Sequence, residues 1–268
     1  MRAPALAVIG LLGLGMAVLL PGCERAQGED EALPPHSLGA ALSAPMWLAP
    51  PVSGTLAVGG QVWVAFRRGA SLPGEAVHDA LARFDYVPFR LGGDQTHVEP
   101  AVRAGELGLA LTVGDRRGSS LIGFTTEPRL IRIGSADKPQ VVRLFEHGVL
   151  CLHLRRGTWE LPEPSPVVAN RFGFGLEFAP VFDPLTMQAG DELLLRLRFG
   201  EGVVGVEVVA EQIPAGERDA VEVFRGKTEA EGVVRVPIRR AGLWRLSAQH
   251  RVADELHRAT LVFRTGER

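Results

Sequence analysis

The sequence predicts an all-β protein in which two β-sandwich modules and one short helix follow a signal peptide and a flexible tether. Three observations lead there. Apolar residues alternate with polar ones over many short runs, Gly, Pro and acidic residues punctuate those runs, and 268 residues exceed the usual ~100–150 of one domain. Hydrophobic residues make up 46% of the chain and charged residues 22%, enough apolar material for a core. The formal net charge is −2, and loss of a leader whose one charge is Arg2 makes it one unit more negative. Lys138 and Lys227 are the only lysines, and basic residues alternate with acids instead of forming a stripe. That excludes nucleic acid as a partner.

Residues 1–22 read as a lipoprotein signal peptide. Arg2 precedes an apolar run from Ala5 to Leu20 that closes with Leu20-Pro21-Gly22-Cys23, and a charged stretch follows. The run is short for a membrane span of ~20 residues and carries several glycines. Cys23 is the expected lipidation site, which places the chain in the bacterial cell envelope, facing the periplasm or the exterior. Residues 23–43 are acidic first and Pro/Gly/Ala-rich afterwards, the composition of a tether. His36 in that stretch offers a cation ligand as the alternative use.

Residues 44–154 form the first module. Met46-Trp47-Leu48 opens it, with Trp47 a candidate ligand or interface aromatic. Val62, Val64 and Phe66 alternate with Trp63 and Ala65, so both faces of that strand are apolar and a cover on each side is expected. Further strands are expected at 80–87, 108–113, 120–125 and 130–133. A helix is expected over 137–148, with Asp137 as N-cap, Gln140 three residues on, Pro139 in the first turn, Val141, Val142, Leu144 and Phe145 as the apolar face, and Gly148 as the stop. Cys151 lies in a run of leucines and reads either as a packed small hydrophobe or as a reactive thiol.

Residues 155–171 hold three closely spaced prolines and read as a semi-rigid connector; Trp159 there is a second candidate ligand or interface aromatic. Residues 172–266 form the second module. Leu193, Leu195, Leu197 and Phe199 face one way and Arg196 and Arg198 the other. Val204, Val206 and Val208, then Val221 and Val223, then Val234, Val236 and Ile238, then 243–248, then Leu261 and Phe263 repeat that pattern. Gly200-Glu201-Gly202 lacks the strand-to-helix setting of a phosphate loop and reads as a hairpin turn.

The stretch Leu176-Glu177-Phe178-Ala179-Pro180, Asp183-Pro184, Gly190-Asp191, the strand from Gly202 to Val209, Glu231-Gly232, and Gly242-Leu243-Trp244 followed by His250 carries a family resemblance. It resembles a bacterial envelope domain family of unknown function that has been labelled a substrate-specific component of nickel uptake. The resemblance runs from about Met46 to Phe263. It implies secreted proteins of two β modules, the first immunoglobulin-like and the second similar to transthyretin-like and carboxypeptidase regulatory-like sandwiches. It also implies a histidine at the start of the mature chain, at the position this sequence fills with Ala44. His250 keeps the family position after Trp244, and Asp254 and His257 follow, so these three are the candidate metal ligands; imidazole and carboxylate suit zinc, copper or nickel.

Other constellations support a third class weakly. Ser119-Ser120, His78-Asp79 and His97-x-Glu99 each hold hydrolytic residue types without a nucleophile, base and orienting group in motif context. One tyrosine, Tyr86, and one asparagine, Asn170, stock a sugar platform poorly. The expected function is therefore a lipid-anchored binding or accessory protein with no cofactor and no catalytic residue, acting on an envelope protein or small ligand. The alternatives are an accessory to transition-metal uptake and a hydrolase on a β scaffold.

Overall fold

The computed structural model describes residues 44–51, 55–57, 61–77, 84–86, 89–91, 94–96, 98–112, 118–135, 137–155, 164–165, 168 and 170–266. The first strands are β1 (Met46–Ala49), β2 (Thr55–Ala57), β3 (Gln61–Arg68), β4 (Glu75–Ala76), β5 (Phe84–Tyr86), β6 (Phe89–Leu91), β7 (Asp94–Thr96) and β8 (Pro100–Arg103). Longer ones follow: β9 (Glu106–Thr112), β10 (Gly118–Thr126), β11 (Arg129–Ile133) and β12 (Gln140–Arg155). The rest are β13 (Glu177–Pro180), β14 (Glu192–Phe199), β15 (Glu201–Gly202), β16 (Glu207–Pro214), β17 (Val221–Lys227), β18 (Val233–Pro237), β19 (Gly242–Val252) and β20 (Glu255–Thr265). Among the described residues Pro184–Thr186 and Ala230–Gly232 are single 3-10 turns, and no helix is long and apolar enough to cross a membrane.

The chain is all-β, as its periodicity predicts. Eleven strands make one large sheet in the order β17-β16-β19-β20-β12-β10-β6-β7, with β11 and β2 on β12 and β5 on β10. A five-stranded sheet, β1-β3-β9-β8 with β4 on β3, covers one face of it, and a four-stranded sheet, β13-β14-β15 with β18 on β14, covers the other. Burial alternates accordingly. Ile122, Leu150, Leu152 and Val262 pack with Trp47, Phe66 and Leu109 on one side, while Leu121, Val149, Cys151, Leu261 and Phe263 pack with Leu193, Leu195, Leu197 and Val236 on the other. A stretch covered on both faces reads as a continuous apolar run, and Val149–Leu152 of β12 and Leu261–Phe263 of β20 are such stretches.

Those two strands pair in parallel, Arg143 with Glu255 through Leu150 with Val262. The last strand of the chain thus shares a sheet with the strand that closes the expected first module. Parallel pairing needs a long crossover, and residues between β12 and β20 build the four-stranded sheet on the way.

The helix expected over 137–148 is absent: Gln140 onward is strand β12, and Asp137 sits in the turn that joins β11 to β12. The apolar positions fit both periods. Val142 and Leu144 are buried on one face, Val141 and Arg143 are exposed on the other, and three neighbouring strands supply the backbone partners that a lone two-turn helix would lack. Gly148 does not end an element. It lies inside β12, where a Cβ would overlap the Phe124 ring and crowd Thr260. Val204 is likewise outside any strand and exposed, whereas Val206 and Val208 are buried as their alternation requires.

Candidate functional site

The most concentrated group of chemically capable side chains lies at the rim of the second core. There β10, β12, β19 and β20 meet the loop before β13 and the end of β14. On one face of β12, Phe145 and His147 precede the core residues Val149 and Cys151; on the matching face of β20, Glu255 and His257 precede Ala259 and Leu261. Burial falls from complete at Leu261 to partial at Phe145, His250 and Phe199.

Four groups make one chain of contacts. The Thr125 Oγ1 is 2.8 Å from His147 Nδ1, His147 Nε2 is 3.3 Å from His257 Nδ1, and His257 Nε2 is 3.0 Å from Glu255 Oε2. Hydrogen-bond roles fix its direction. A carboxylate only accepts, so a neutral His257 donates from Nε2 and accepts at Nδ1, and His147 then donates from Nε2 and accepts the Thr125 hydroxyl at Nδ1. Both imidazoles are buried. Burial, and secondarily the neighbouring His257, push the His147 pKa down to about 3, so this ring is neutral at any ordinary pH. Burial and His257 also lower His250.

Aromatic rings enclose the pair. Phe145 stacks on His257 at 4.7 Å between centroids, Phe174 stacks on His147 at 5.6 Å, Phe172 stacks on Phe174 at 5.2 Å, and Phe199 stands edge-on to His257 and His250. Glu177 holds the loop in place. Its buried carboxylate accepts from the Phe172 and Gly173 amides, and burial raises its pKa despite those bonds. Gly175 lies directly over the two rings, since a Cβ there would come within 2.8 Å of His257 Nδ1 and 3.2 Å of His147 Nε2. Only a residue without a side chain closes the loop this tightly.

The sequence-derived metal ligands separate. His250 and His257 are cross-strand partners on β19 and β20 and face the same way. Asp254 lies in the turn between those strands, exposed, with its carboxylate 3.4 Å from Arg143. It points to the ribbon's edge and not to the imidazoles' pair. Among the described residues no three His, Cys, Asp or Glu side chains converge closely enough to enclose a metal ion. His147, which the expected helix concealed, is the partner that the sequence did not reveal. Its signal was a polar residue two positions past Phe145 on a strand face.

The remaining candidates fall elsewhere. Trp47 is buried, with the Arg245 guanidinium 4.1 Å above its ring, so it serves an internal contact between the five-stranded and eleven-stranded sheets. Cys23, His36, His78, Asp79, His97 and Trp159 lie outside the described residues. Ser119 is buried, and its hydroxyl donates to Asp183, which also accepts from the Ser165 and Leu185 amides and caps the 184–186 turn. Serine and aspartate are bonded directly, without the intervening imidazole a hydrolytic triad requires. Cys151 beside them is fully buried, and burial pushes its thiol well above the ordinary range.

A polar cleft of about 500 Å³ opens between Ala44, Pro45 and Ala70 and the outer face of β16, β17, β19 and β20. Its charges are matched within the fold. Arg245 pairs with Glu211 at 2.5 Å, and Arg225 with Glu207 and Glu222 at 2.6 Å each.

Residues 161–252 match a domain of unknown function, DUF4198. No curated protein matches the chain in sequence. Among solved structures, the chain is similar to titin domains A168–A170 at 12% identity, covering 83% of this chain and 67% of that one, with a TM-score of 0.21. It is also similar to the titin domains Z1Z2 in complex with telethonin, at 12% identity over 84% of this chain and 96% of that one, TM-score 0.19. Escherichia coli alpha-2-macroglobulin activated by porcine elastase gives 12% identity over 82% of this chain and 23% of that one, TM-score 0.25.

Proposed function

We propose that this chain is a lipid-anchored protein of the bacterial cell envelope that binds or assists a partner and catalyses no reaction. The leader ending in Cys23 supports the anchor, and the acidic, Pro-rich segment after it supports a tether. One observation carries the non-catalytic half of the reading: Asp183 spends its carboxylate on Ser119 and on backbone amides inside the core, so the best-stocked hydrolytic residues of the described chain act as internal braces. The second module is read as transthyretin-like, a scaffold that presents ligands at its rim. That rim holds His147, His250 and His257 among four phenylalanines.

The test is made in cells. Wild type is expected to take up a clickable palmitate analogue and to fractionate with membranes, and Cys23→Ser is expected to do neither. Photo-crosslinkers at Phe145 and His250 are expected to capture a partner from the envelope fraction. Unlabelled, soluble wild type would remove the anchor, and hydrolysis of ester or peptide substrates that is lost in Ser119→Ala would remove the non-catalytic reading.

A further inference from the structure

We infer that β11 is a pairing edge for a second copy of this chain, the two β11 strands running antiparallel about a two-fold axis at Ile131. Among the described residues β11 pairs with β12 on one side and with no strand on the other. Edges of that kind are ordinarily blunted by proline, lysine or a bulge, and Arg129-Leu130-Ile131-Arg132-Ile133 contains none of these.

The direction of each peptide fixes which backbone groups are free. The Arg143 amide donates to the Asp254 carbonyl on the β20 side, so Leu130, opposite Arg143 on β11, stands in a non-hydrogen-bonded pair. Arg132, opposite Val141, stands in the next one. The N–H and C=O groups of Leu130 and Arg132 therefore point outward, and those of Ile131 point to β12. An antiparallel partner must match outward residues with outward residues. A two-fold register centred on Arg132 sets like charges opposite each other, and one centred on Leu130 places Arg132 against Pro128, which has no N–H. Centring on Ile131 pairs Leu130 with Arg132 of the second copy, and each such pair exchanges both of its hydrogen bonds.

Side chains agree with that register. Leu130 is 72% exposed and Val141 55%, and both lie on the outer face with Arg132. Pairing lays the Arg132 stem of each copy over the other's Leu130, which covers apolar surface and leaves the guanidinium in water. On the inner face Ile131 meets Ile131 of the second copy, beside the small core of Val142, Leu144 and Leu256. The same register brings Glu127 opposite Ser135 of the second copy, at the turn that carries Lys138. Both Glu127 and Lys138 are exposed, and neither makes an ion pair within the described chain. The edge is thus self-complementary, as a two-fold interface requires.

One strand edge makes a weak interface in solution. Copies held by the anchor proposed above share one membrane surface, where a weak interface suffices. The pairing does not depend on that anchor, so either can fail without the other.

The experiment uses the full-length chain in detergent, over a concentration series. Native mass spectrometry is expected to show a reversible dimer. Leu130→Arg, a change at an exposed side chain, puts like charges opposite each other and is expected to weaken dimerisation at least tenfold. Adding Arg132→Glu to that variant sets Arg against Glu in the same register and is expected to restore the dimer. Hydrogen exchange at the Leu130 and Arg132 amides is expected to slow as the protein is concentrated, while that of Val102 on the edge strand β8 stays constant. A wild type that stays monomeric at every concentration overturns the inference, whether or not another protein crosslinks to β11. So does a dimer that Leu130→Arg leaves intact, or one whose Leu130 and Arg132 amides exchange as fast as in the monomer.

Discussion

The Arg245 guanidinium lies 4.1 Å from the centroid of the Trp47 indole, joining β1 near the start of the described chain to β19 near its end. Arg245 also donates to the carbonyls of Gly69 and Ala70 and pairs with Glu211, so one side chain ties the five-stranded sheet to the eleven-stranded one. Trp47 is buried, with Gly69 and Gly74 packed against the edge of its ring. Trp47→Ala is expected to cost about 3–5 kcal/mol, the range for a buried aromatic. Arg245→Met keeps much of the volume and removes the charge. The coupling between the two positions in a double-mutant cycle of urea unfolding is expected to be roughly 0.5–2 kcal/mol; zero coupling would show that the stacked geometry contributes nothing.

Periodicity read β14 well because that strand has one covered face. Leu193, Leu195 and Leu197 alternate with Leu194, Arg196 and Arg198, and the inward set is buried. It read the start of β12 badly because Val141, Val142, Leu144 and Phe145 match a helical stripe as well as a strand, although Val141 is exposed. What decided between them was tertiary: β10, β11 and β20 each donate a ladder edge to it. The site followed the same logic. His257 and His250 were visible as a pair two turn-lengths apart, while His147 became a partner only through the parallel pairing of β12 with β20, 110 residues away in sequence.

Cys151 is expected to be chemically silent in the folded protein. Burial first, and Asp183 second, hold its thiol well above the ordinary pKa, and the thiolate is the reactive species. A colorimetric thiol assay at pH 8 is expected to read near zero in native Cys23→Ser protein and one thiol per chain after guanidinium is added. Rapid labelling of the native protein would place Cys151 in an open pocket instead.

Gly175 tests how closely the loop over the imidazole pair must fit. Alanine there would bring a methyl group within 2.8 Å of His257 Nδ1, so either the loop lifts or the rings part. Gly175→Ala is expected to cost about 1–3 kcal/mol, the usual range for overpacking. It is also expected to shift the ring resonances of both His147 and His257 in a nitrogen–proton correlation spectrum. Unchanged ring resonances together with unchanged stability would show that the loop does not rest on the pair.

His147 gives the fold a signed dependence on pH. Its folded pKa is pushed down to about 3, against an ordinary value of 6.5, so the unfolded chain binds a proton that the folded chain refuses. Its contribution is complete above pH 6.5 and is lost as pH falls from there toward 3, with about 2 kcal/mol lost between pH 7.5 and 5 at 1.36 kcal/mol per unit. Glu146, Glu177 and Asp183 act with the opposite sign, because burial raises each of them, and what they contribute is lost as pH rises through their folded values. The His147 share is therefore read as a difference. Urea unfolding of wild type and His147→Phe at pH 7.5 and pH 5 is expected to show the variant losing about 2 kcal/mol less on acidification. Equal losses in the two proteins would mean that His147 takes up a proton while folded, and that its contact with His257 is between a charged and a neutral ring.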